Sequence, residues 1–281
     1  VLYMPGANAR AIEKARSLPC DAVILDLEDA VSPDAKEAAR AAVVAAAFQG
    51  GFGRREVIIR VNGLDTMWAA DDLAAVAKSG ANAVLIPKIS SAGDLIQVEH
   101  ALVDSGAPRD MAIWAMMETP RAILNADAIA GATARLAVFV MGTNDLLKEL
   151  NAVQRPDRLP LMLALQNTLL AGRAHGLSLL DGVYNAISDQ AGFEAECEQG
   201  RDLGFDGKTL IHPSQVDAAN RKFAPSAEEI EKSRRIIDAF DQAMAQGKGV
   251  VQLDGKMIEN LHVDHARRVL AFAEILVGNA P

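Results

Sequence analysis

Aromatic side chains make up only 4% of the 281 residues, and cysteine occurs twice, at Cys20 and Cys197. Two distant thiols without C-x-x-C spacing exclude a disulfide framework and predict free thiols in a reducing compartment. Positive charge is also in deficit: 28 Lys and Arg face 37 Asp and Glu, for a net charge of −9. That balance argues against nucleic acid and against an anionic membrane as partners. It leaves an anionic ligand open, because a cation and a few basic groups reverse the field within one cleft. No apolar run approaches the ~18 residues that a bilayer span requires, and no signal-peptide pattern is present. A cytoplasmic protein is expected, with a few residues preceding the strand-like run that opens at Val1. Phosphate and dinucleotide cradles of the G-x-x-x-x-G-K-[ST] and G-x-G-x-x-G types are missing, as is a G-x-S-x-G nucleophile elbow.

Half of the residues are hydrophobic, which places the core on Ala, Val, Ile and Leu. Short apolar runs recur at 1–4, 22–27, 57–61, 83–86, 112–117, 136–141, 178–183 and 208–211. Continuous rather than alternating apolar runs suit strands buried on both faces of a parallel sheet. Amphipathic stretches follow at 8–17, 33–48, 68–79, 91–103, 121–130, 159–175 and 190–203, with Gly80, Gly131, Gly176 and Gly204 placed as left-handed C-terminal caps. Eight such units predict a TIM (β/α)8 barrel over 1–223. Helices at 226–246 and 262–277 form a C-terminal helical extension over 224–281, with a Gly-containing hinge at 246–260.

What ends each strand carries the chemistry. The runs close on Asp26-Leu27-Glu28-Asp29, Arg60-Val61-Asn62, Pro87-Lys88, Glu118-Thr119-Pro120-Arg121, Gly142-Thr143-Asn144-Asp145, Asp181-Gly182 and His212-Pro213-Ser214. In a barrel these ends converge on the rim where catalysis resides. Asp34 reads as a helix cap, Lys88 as a solvated charge, and His212 as satisfied by backbone. Arg60, Glu118 and Asp145 each terminate a strongly apolar strand, where an unpaired charge is costly. Two carboxylates at one mouth fit Mg²⁺, which takes one or two carboxylates and fills its octahedron with water and ligand oxygens. Zinc is disfavoured, because the histidines show no ligand spacing with a strand-end cysteine.

These residues, in this order, resemble the citrate-lyase-β-like group of the HpcH/HpaI aldolase superfamily. The similarity runs from Leu2-Tyr3-Met4-Pro5-Gly6 through the strand ends above to Gly204-Phe205-Asp206-Gly207-Lys208 and Ile211-His212-Pro213-Ser214-Gln215, and ends near Gly255-Lys256-Met257-Ile258-Glu259. The resemblance implies that Glu118 and Asp145 hold Mg²⁺ and that Arg60 contacts substrate oxygens. It implies that Asp26, Glu28 and Asp29 form an acidic cluster that bonds metal-bound water and orients Arg60. Arg10 and Lys14 correspond to the region that meets coenzyme A in relatives. Glu259 stands where relatives carry an Asp, delivered by a neighbouring subunit as general acid/base. The Pro that follows in relatives is replaced here.

The implied reaction is Mg²⁺-dependent carbon–carbon cleavage of a 3-hydroxyacyl-CoA thioester of the malyl-, citramalyl- or citryl-CoA type, giving acyl-CoA and a 2-oxo acid, or the reverse. The alternatives are a CoA-independent aldolase using pyruvate or oxaloacetate, a malyl-CoA thioesterase, and a β-like subunit with little activity alone. A homo-oligomer, trimeric or hexameric, is expected.

Overall fold

The computed structural model describes residues 1–247 and 249–278. Within Val1–Asn220, which forms one compact unit, eight strands pair in chain order. They are β1 (Leu2–Pro5), β2 (Ala22–Asp26), β3 (Glu56–Arg60), β4 (Ala83–Ile86), β5 (Ala112–Met117), β6 (Leu136–Met141), β7 (Ser178–Asp181) and β8 (Gly207–Lys208). Every neighbouring pair is parallel. Ring closure comes just past β8: Leu2 bridges Leu210, Tyr3 N–H donates to Leu210 O at 2.9 Å, and Leu210 N–H donates to Val1 O at 2.8 Å. The (β/α)8 barrel read from the sequence is therefore the observed fold.

Ten helices belong to or leave this unit: α1 (Ala9–Ala15), α2 (Lys36–Gln49), α3 (Ala69–Val76), α4 (Ala92–Asp104), α5 (Pro120–Leu124), α6 (Ala126–Ala130), α7 (Thr143–Glu149), α8 (Met162–Ala174), α9 (Gln190–Leu203) and α10 (Val216–Phe223). Polar residues start several of them. Ser91 and Asp94 form a reciprocal capping box on α4, and Thr119 accepts from Ala122 N–H at the start of α5. Three details differ from the sequence reading. The stretch 121–130 is two helices, interrupted at Asn125, whose amide donates to Ser90 O at 2.9 Å. Asp34 lies inside the short turn Pro33–Ala35 and caps nothing. Gly131 has φ −92°; a Cβ there would lie 2.8 Å from the His175 ring, so crowding rather than left-handed geometry selects glycine.

The barrel interior follows from the two-residue period of a strand. Ala22 and Ile24 of β2, Ile58 of β3, Ala83 and Leu85 of β4, Trp114 and Met116 of β5, Val138 and Val140 of β6, and Leu180 of β7 pack as one buried cluster. Two residues further along the same inward parity come Asp26, Arg60, Glu118 and Gly142. The apolar plug therefore ends in a layer of charge at the C-terminal mouth.

The opposite parity explains Asp181, one of the strand-end acids. With Leu180 inward, Asp181 turns outward toward α9 and is fully buried there. Arg158 Nη1 donates to both its oxygens at 2.7 and 2.8 Å, and Lys208 Nζ bonds it at 3.0 Å and Glu196 at 2.7 Å. Burial pushes the Asp181 carboxyl up, but Lys208 and Arg158 outweigh it and hold it below its ordinary value. The network is structural: it locks β7, β8, α9 and the segment that carries Arg158. Asp181→Ala should cost about 3–5 kcal/mol of stability, since two buried cations lose their shared partner; thermal unfolding at neutral pH measures it. A loss within that of ordinary surface variants would show that the cations find other partners.

Both cysteines are buried and unpaired. Burial, opposed by Lys208, pushes the Cys197 thiol up to about 12, so little thiolate forms. Cys197 should stay inert to a soluble disulfide reagent at pH 8 in the folded protein and react once denaturant unfolds it. Rapid modification of the native protein would contradict this burial.

The second compact unit, Arg221–Pro281, contains α11 (Ala227–Ala245), a two-stranded antiparallel hairpin of β9 (Val251–Leu253) and β10 (Lys256–Ile258), and α12 (Asn260–Gly278). Ile236, Phe240, Ile258, Val263 and Ala266 form its own core. The hairpin replaces the hinge expected at 246–260. Asp254 and Gly255 connect the strands with φ of 50° and 75°, the paired positive values that an Asp-Gly two-residue turn supplies. Among the described residues, no helix is long and apolar enough to cross a membrane.

Candidate active site

Asp26, at the end of β2, and Arg60, at the end of β3, are direct register partners. Their inward side chains meet in a fork: Arg60 Nε and Nη2 donate to the two Asp26 oxygens, each at 2.7 Å. Asp26 is itself aligned by the backbone N–H groups of Glu28 and Ala30, at 2.9 and 3.1 Å. Arg60 Nη1 lies 2.8 Å from Glu28 and 3.5 Å from Asp29. The guanidinium also lies over the Tyr3 ring, 5.0 Å from its centroid. Burial works against the Arg60 charge, but Asp26, Tyr3 and Glu28 together keep it firmly protonated. The acidic loop after β2 is held from behind by buried Lys36, whose Nζ donates to the Leu27 and Glu28 carbonyls at 2.7 Å each.

Glu118 extends the inward face of β5 and is 3% exposed. Its Oε1 accepts the Lys88 backbone N–H at 2.7 Å. Across from it, β6 hands over directly to α7, a helix absent from the sequence reading, which brings Asp145 back to the mouth in its first turn. Gly142, between them, is there for close approach: a Cβ would fall 2.3 Å from both Cβ and Oε2 of Glu118. Burial is the main force raising the Glu118 carboxyl, to about 8. The Lys88 N–H and Arg60 oppose it, while Glu28 and Asp145 add to it. A buried carboxylate beside two other acids is a group that lacks a countercharge.

One cleft of about 370 Å³ joins these groups; Asp26, Asp29, Arg60, Glu118 and Asp145 all line it, with Tyr3, Met116, Asn144 and Asn185. Asn144 and Asn185 exchange amide hydrogen bonds of 3.3 and 2.7 Å across its wall. The donor set suits a hard divalent ion. Its acids are oxygen donors only, and among the described residues no group of three or more His, Cys, Asp or Glu is arranged to enclose a metal. Two carboxylates with the remaining positions left to water or ligand oxygens is the Mg²⁺ pattern.

The structure thus brings together Asp26, Glu28, Asp29, Arg60, Glu118 and Asp145. Arg10 and Lys14 stand on the exposed side of α1. Glu259 follows β10 in the second unit, where its N–H donates to His262 Nδ1 at 3.3 Å. His212 is a cap, its ring accepting from Ser214 N–H at 3.2 Å. Lys88, expected as a solvated charge, instead bonds Glu28 Oε1 through Nζ at 3.0 Å. Sequence reasoning also missed Lys36 and Arg158. The alternation of apolar residues carries no sign of either, because neither lies on a strand: Lys36 opens α2 and bonds loop carbonyls, and Arg158 lies in the segment before α8 and bonds the Asp181 carboxylate.

A closed parallel barrel whose strand ends gather carboxylates around a guanidinium defines a (β/α)8 protein with its site at the C-terminal mouth. The chain belongs to the HpcH/HpaI aldolase/citrate lyase family, whose model matches residues 1–213. It is 54% identical over 278 residues to the (3S)-malyl-CoA thioesterase of Cereibacter sphaeroides, covering 99% of this chain and 95% of that one. It is 36% identical to the citrate lyase subunit beta of Escherichia coli over 280 residues, covering 98% and 93%. Among solved structures, the protein CitE from Mycobacterium tuberculosis in complex with magnesium, acetoacetate and coenzyme A superposes with a TM-score of 0.80 at 29% identity, covering 97% of each chain. The family is one of enzymes, and its citrate-lyase-β branch is the one this chain resembles.

Proposed function

We propose that this protein is a Mg²⁺-dependent enzyme acting on a 3-hydroxyacyl-CoA thioester of the malyl-CoA type, and that its reaction is hydrolysis of the thioester. The observation that favours hydrolysis is the 54% identity to a malyl-CoA thioesterase along nearly the full length of both chains. Carbon–carbon cleavage of the same substrate is the second reading, favoured by the 36% match to a citrate lyase subunit beta. Both reactions use the same cleft.

Glu118 and Asp145 are the residues that would hold Mg²⁺. When bound there, the ion supplies Lewis-acid polarisation and a template for the substrate's carboxylate and neighbouring oxygen. Asp26 holds Arg60 at the wall of the cleft, where the guanidinium would stabilise an oxygen that gains charge during reaction. The fork with Asp26 fixes the guanidinium before substrate arrives, so little reorganisation is needed. Glu28 flanks Arg60 and is held by it and by Lys88, while Asp29, which lines the cleft, would hydrogen-bond water carried by a bound ion. Glu259, supplied by a neighbouring copy, moves the proton. In hydrolysis it takes one from the water that attacks the thioester carbonyl, and the leaving thiolate of CoA is then protonated. In cleavage it takes the hydroxyl proton and the enolate carbon of the acyl-CoA gains one. Arg10 and Lys14 would meet the phosphates of the CoA tail.

A single assay separates the readings. With malyl-CoA and Mg²⁺, hydrolysis releases free CoA thiol and malate without glyoxylate; cleavage releases glyoxylate and acetyl-CoA without free thiol. Glu259→Gln should slow either reaction by about 10²-fold, the usual worth of a placed acid or base, with the fold unchanged. Inert malyl-, citramalyl- and citryl-CoA would overturn the proposal. Assembly into a homo-oligomer belongs to the same reading; light scattering at micromolar concentration tests it, and a monomer would remove Glu259 from the mechanism.

A further inference from the structure

Lys88 has a φ of 55°, a region that residues with a Cβ seldom occupy and that concentrates at functional sites. It directly follows β4 and Pro87. Its hydrogen bonds show what this turn accomplishes. The backbone N–H points to Glu118 Oε1 at 2.7 Å, while Nζ reaches Glu28 Oε1 at 3.0 Å. The other oxygen of Glu28 lies 2.8 Å from Arg60 Nη1. On its far side, Glu118 is confined by Gly142, which leaves no room for a Cβ beside Oε2. One residue therefore touches both the carboxylate assigned to the metal and the carboxylate beside the guanidinium. The positive φ sets Cβ and the onward chain relative to that N–H, so one residue keeps its N–H on Glu118 while its side chain runs to Glu28.

We propose that Lys88 is a positioning residue with two separable handles. Its left-handed backbone lets its N–H stay on Glu118, orienting the carboxylate for the cation, while its ammonium fixes Glu28 and, through it, Arg60. This rests on the metal reading of Glu118 given above. The amine is engaged as an ion-pair donor, which assigns it a role other than that of a covalent nucleophile.

Substitution separates the handles. Lys88→Gly tolerates positive φ and Lys88→Met keeps the unbranched stem; both delete the ammonium. Lys88→Val deletes it too, but its β-branch resists positive φ. The probe is Mn²⁺ alone, titrated into the full chain without substrate and followed by electron paramagnetic resonance, with circular dichroism confirming the fold. Gly and Met variants should bind Mn²⁺ about as tightly as the unsubstituted protein, whereas Lys88→Val should bind about tenfold more weakly, the lower end of what an outer-sphere partner contributes. At saturating Mg²⁺, Lys88→Met and Lys88→Gly should lower kcat by about tenfold with KM little changed, the sign of a misplaced group rather than lost binding. Unchanged Mn²⁺ affinity in Lys88→Val, or a tenfold loss in Lys88→Gly, would overturn the backbone handle. The Gly arm decides even where the Val variant fails to fold. Unchanged kcat in Lys88→Met would overturn the ammonium handle. An unsubstituted protein that binds no Mn²⁺ would instead bring down the metal reading itself, a result distinct from equal binding by every variant.

Discussion

Glu118→Gln is expected to abolish Mg²⁺-dependent turnover, by on the order of 10³-fold or more, while the barrel stays folded. The side chain keeps its shape and can still accept the Lys88 N–H at Oε1, but the charge that would bind the cation is gone. The substitution carries a second, pH-dependent signature. Burial raises the Glu118 carboxyl from its ordinary 4.5 to about 8, so the folded protein holds this proton more tightly than the unfolded chain does. The stability it contributes in the metal-free protein is fully present below the unfolded value, near 4.5, and is lost as pH rises through about 8. Over that window the loss amounts to about 5 kcal/mol, taking ~1.4 kcal/mol for each pH unit. Melting curves in chelator should therefore fall with pH for the unsubstituted protein more steeply than for Glu118→Gln. Added Mg²⁺ should restore the unsubstituted protein at alkaline pH, since the ion replaces the proton as countercharge. Identical pH profiles for the two proteins in chelator would sink the assignment of Glu118 as the unpaired carboxylate.

Arg60 should show a different pattern, in which activity and stability fall together. In Arg60→Ala, Asp26 and Glu28 lose the cation they share while remaining buried. The expected cost is about 3–5 kcal/mol of unfolding free energy, as for other broken buried pairs. Arg60→Lys restores a charge but not the fork, because an ammonium cannot span both Asp26 oxygens in the geometry of two 2.7 Å bonds. Stability should recover in large part, yet turnover should remain depressed by roughly 10²–10³-fold, the range seen when a preorganised oxyanion donor is lost. The diagnostic is the split between the two variants. Full activity in Arg60→Lys would show that only charge matters at this position and that the fork with Asp26 is incidental.

Much of the fold was legible because its signal is local. Eight apolar runs separated by amphipathic helices have few solutions other than a parallel barrel, and the observed strands fall within a few residues of those runs. The misses share a cause. Helix α7 begins on the residue after Gly142, so a segment that reads as a loop between a strand and a helix is already helical. The hairpin around Asp254 and Gly255 had a sequence signal, the Asp-Gly pair between two short runs, hidden by the surrounding glycines.

Strand parity was also within reach of the sequence. Counting in twos from Ile24, Ile58 and Met116 leads to Asp26, Arg60 and Glu118, so the charged layer of the mouth is written in the alternation itself. By the same count Asp181 faces outward, and its place in a ring of strand ends did not make it part of the cleft.

The amino-acid sequence by itself determined the barrel, the rim on which the charges gather and the inward direction of Asp26, Arg60 and Glu118, because periodicity and parity are properties of neighbouring residues. Only the tertiary structure decided which charges meet. Asp145 lines the same cleft as Glu118 from a helical turn, Lys88 bends backward to bond two acids, and Arg158 meets Asp181 from beyond α8. Each of those meetings brings together chain separated by tens of residues, and no local pattern encodes a closure of that kind.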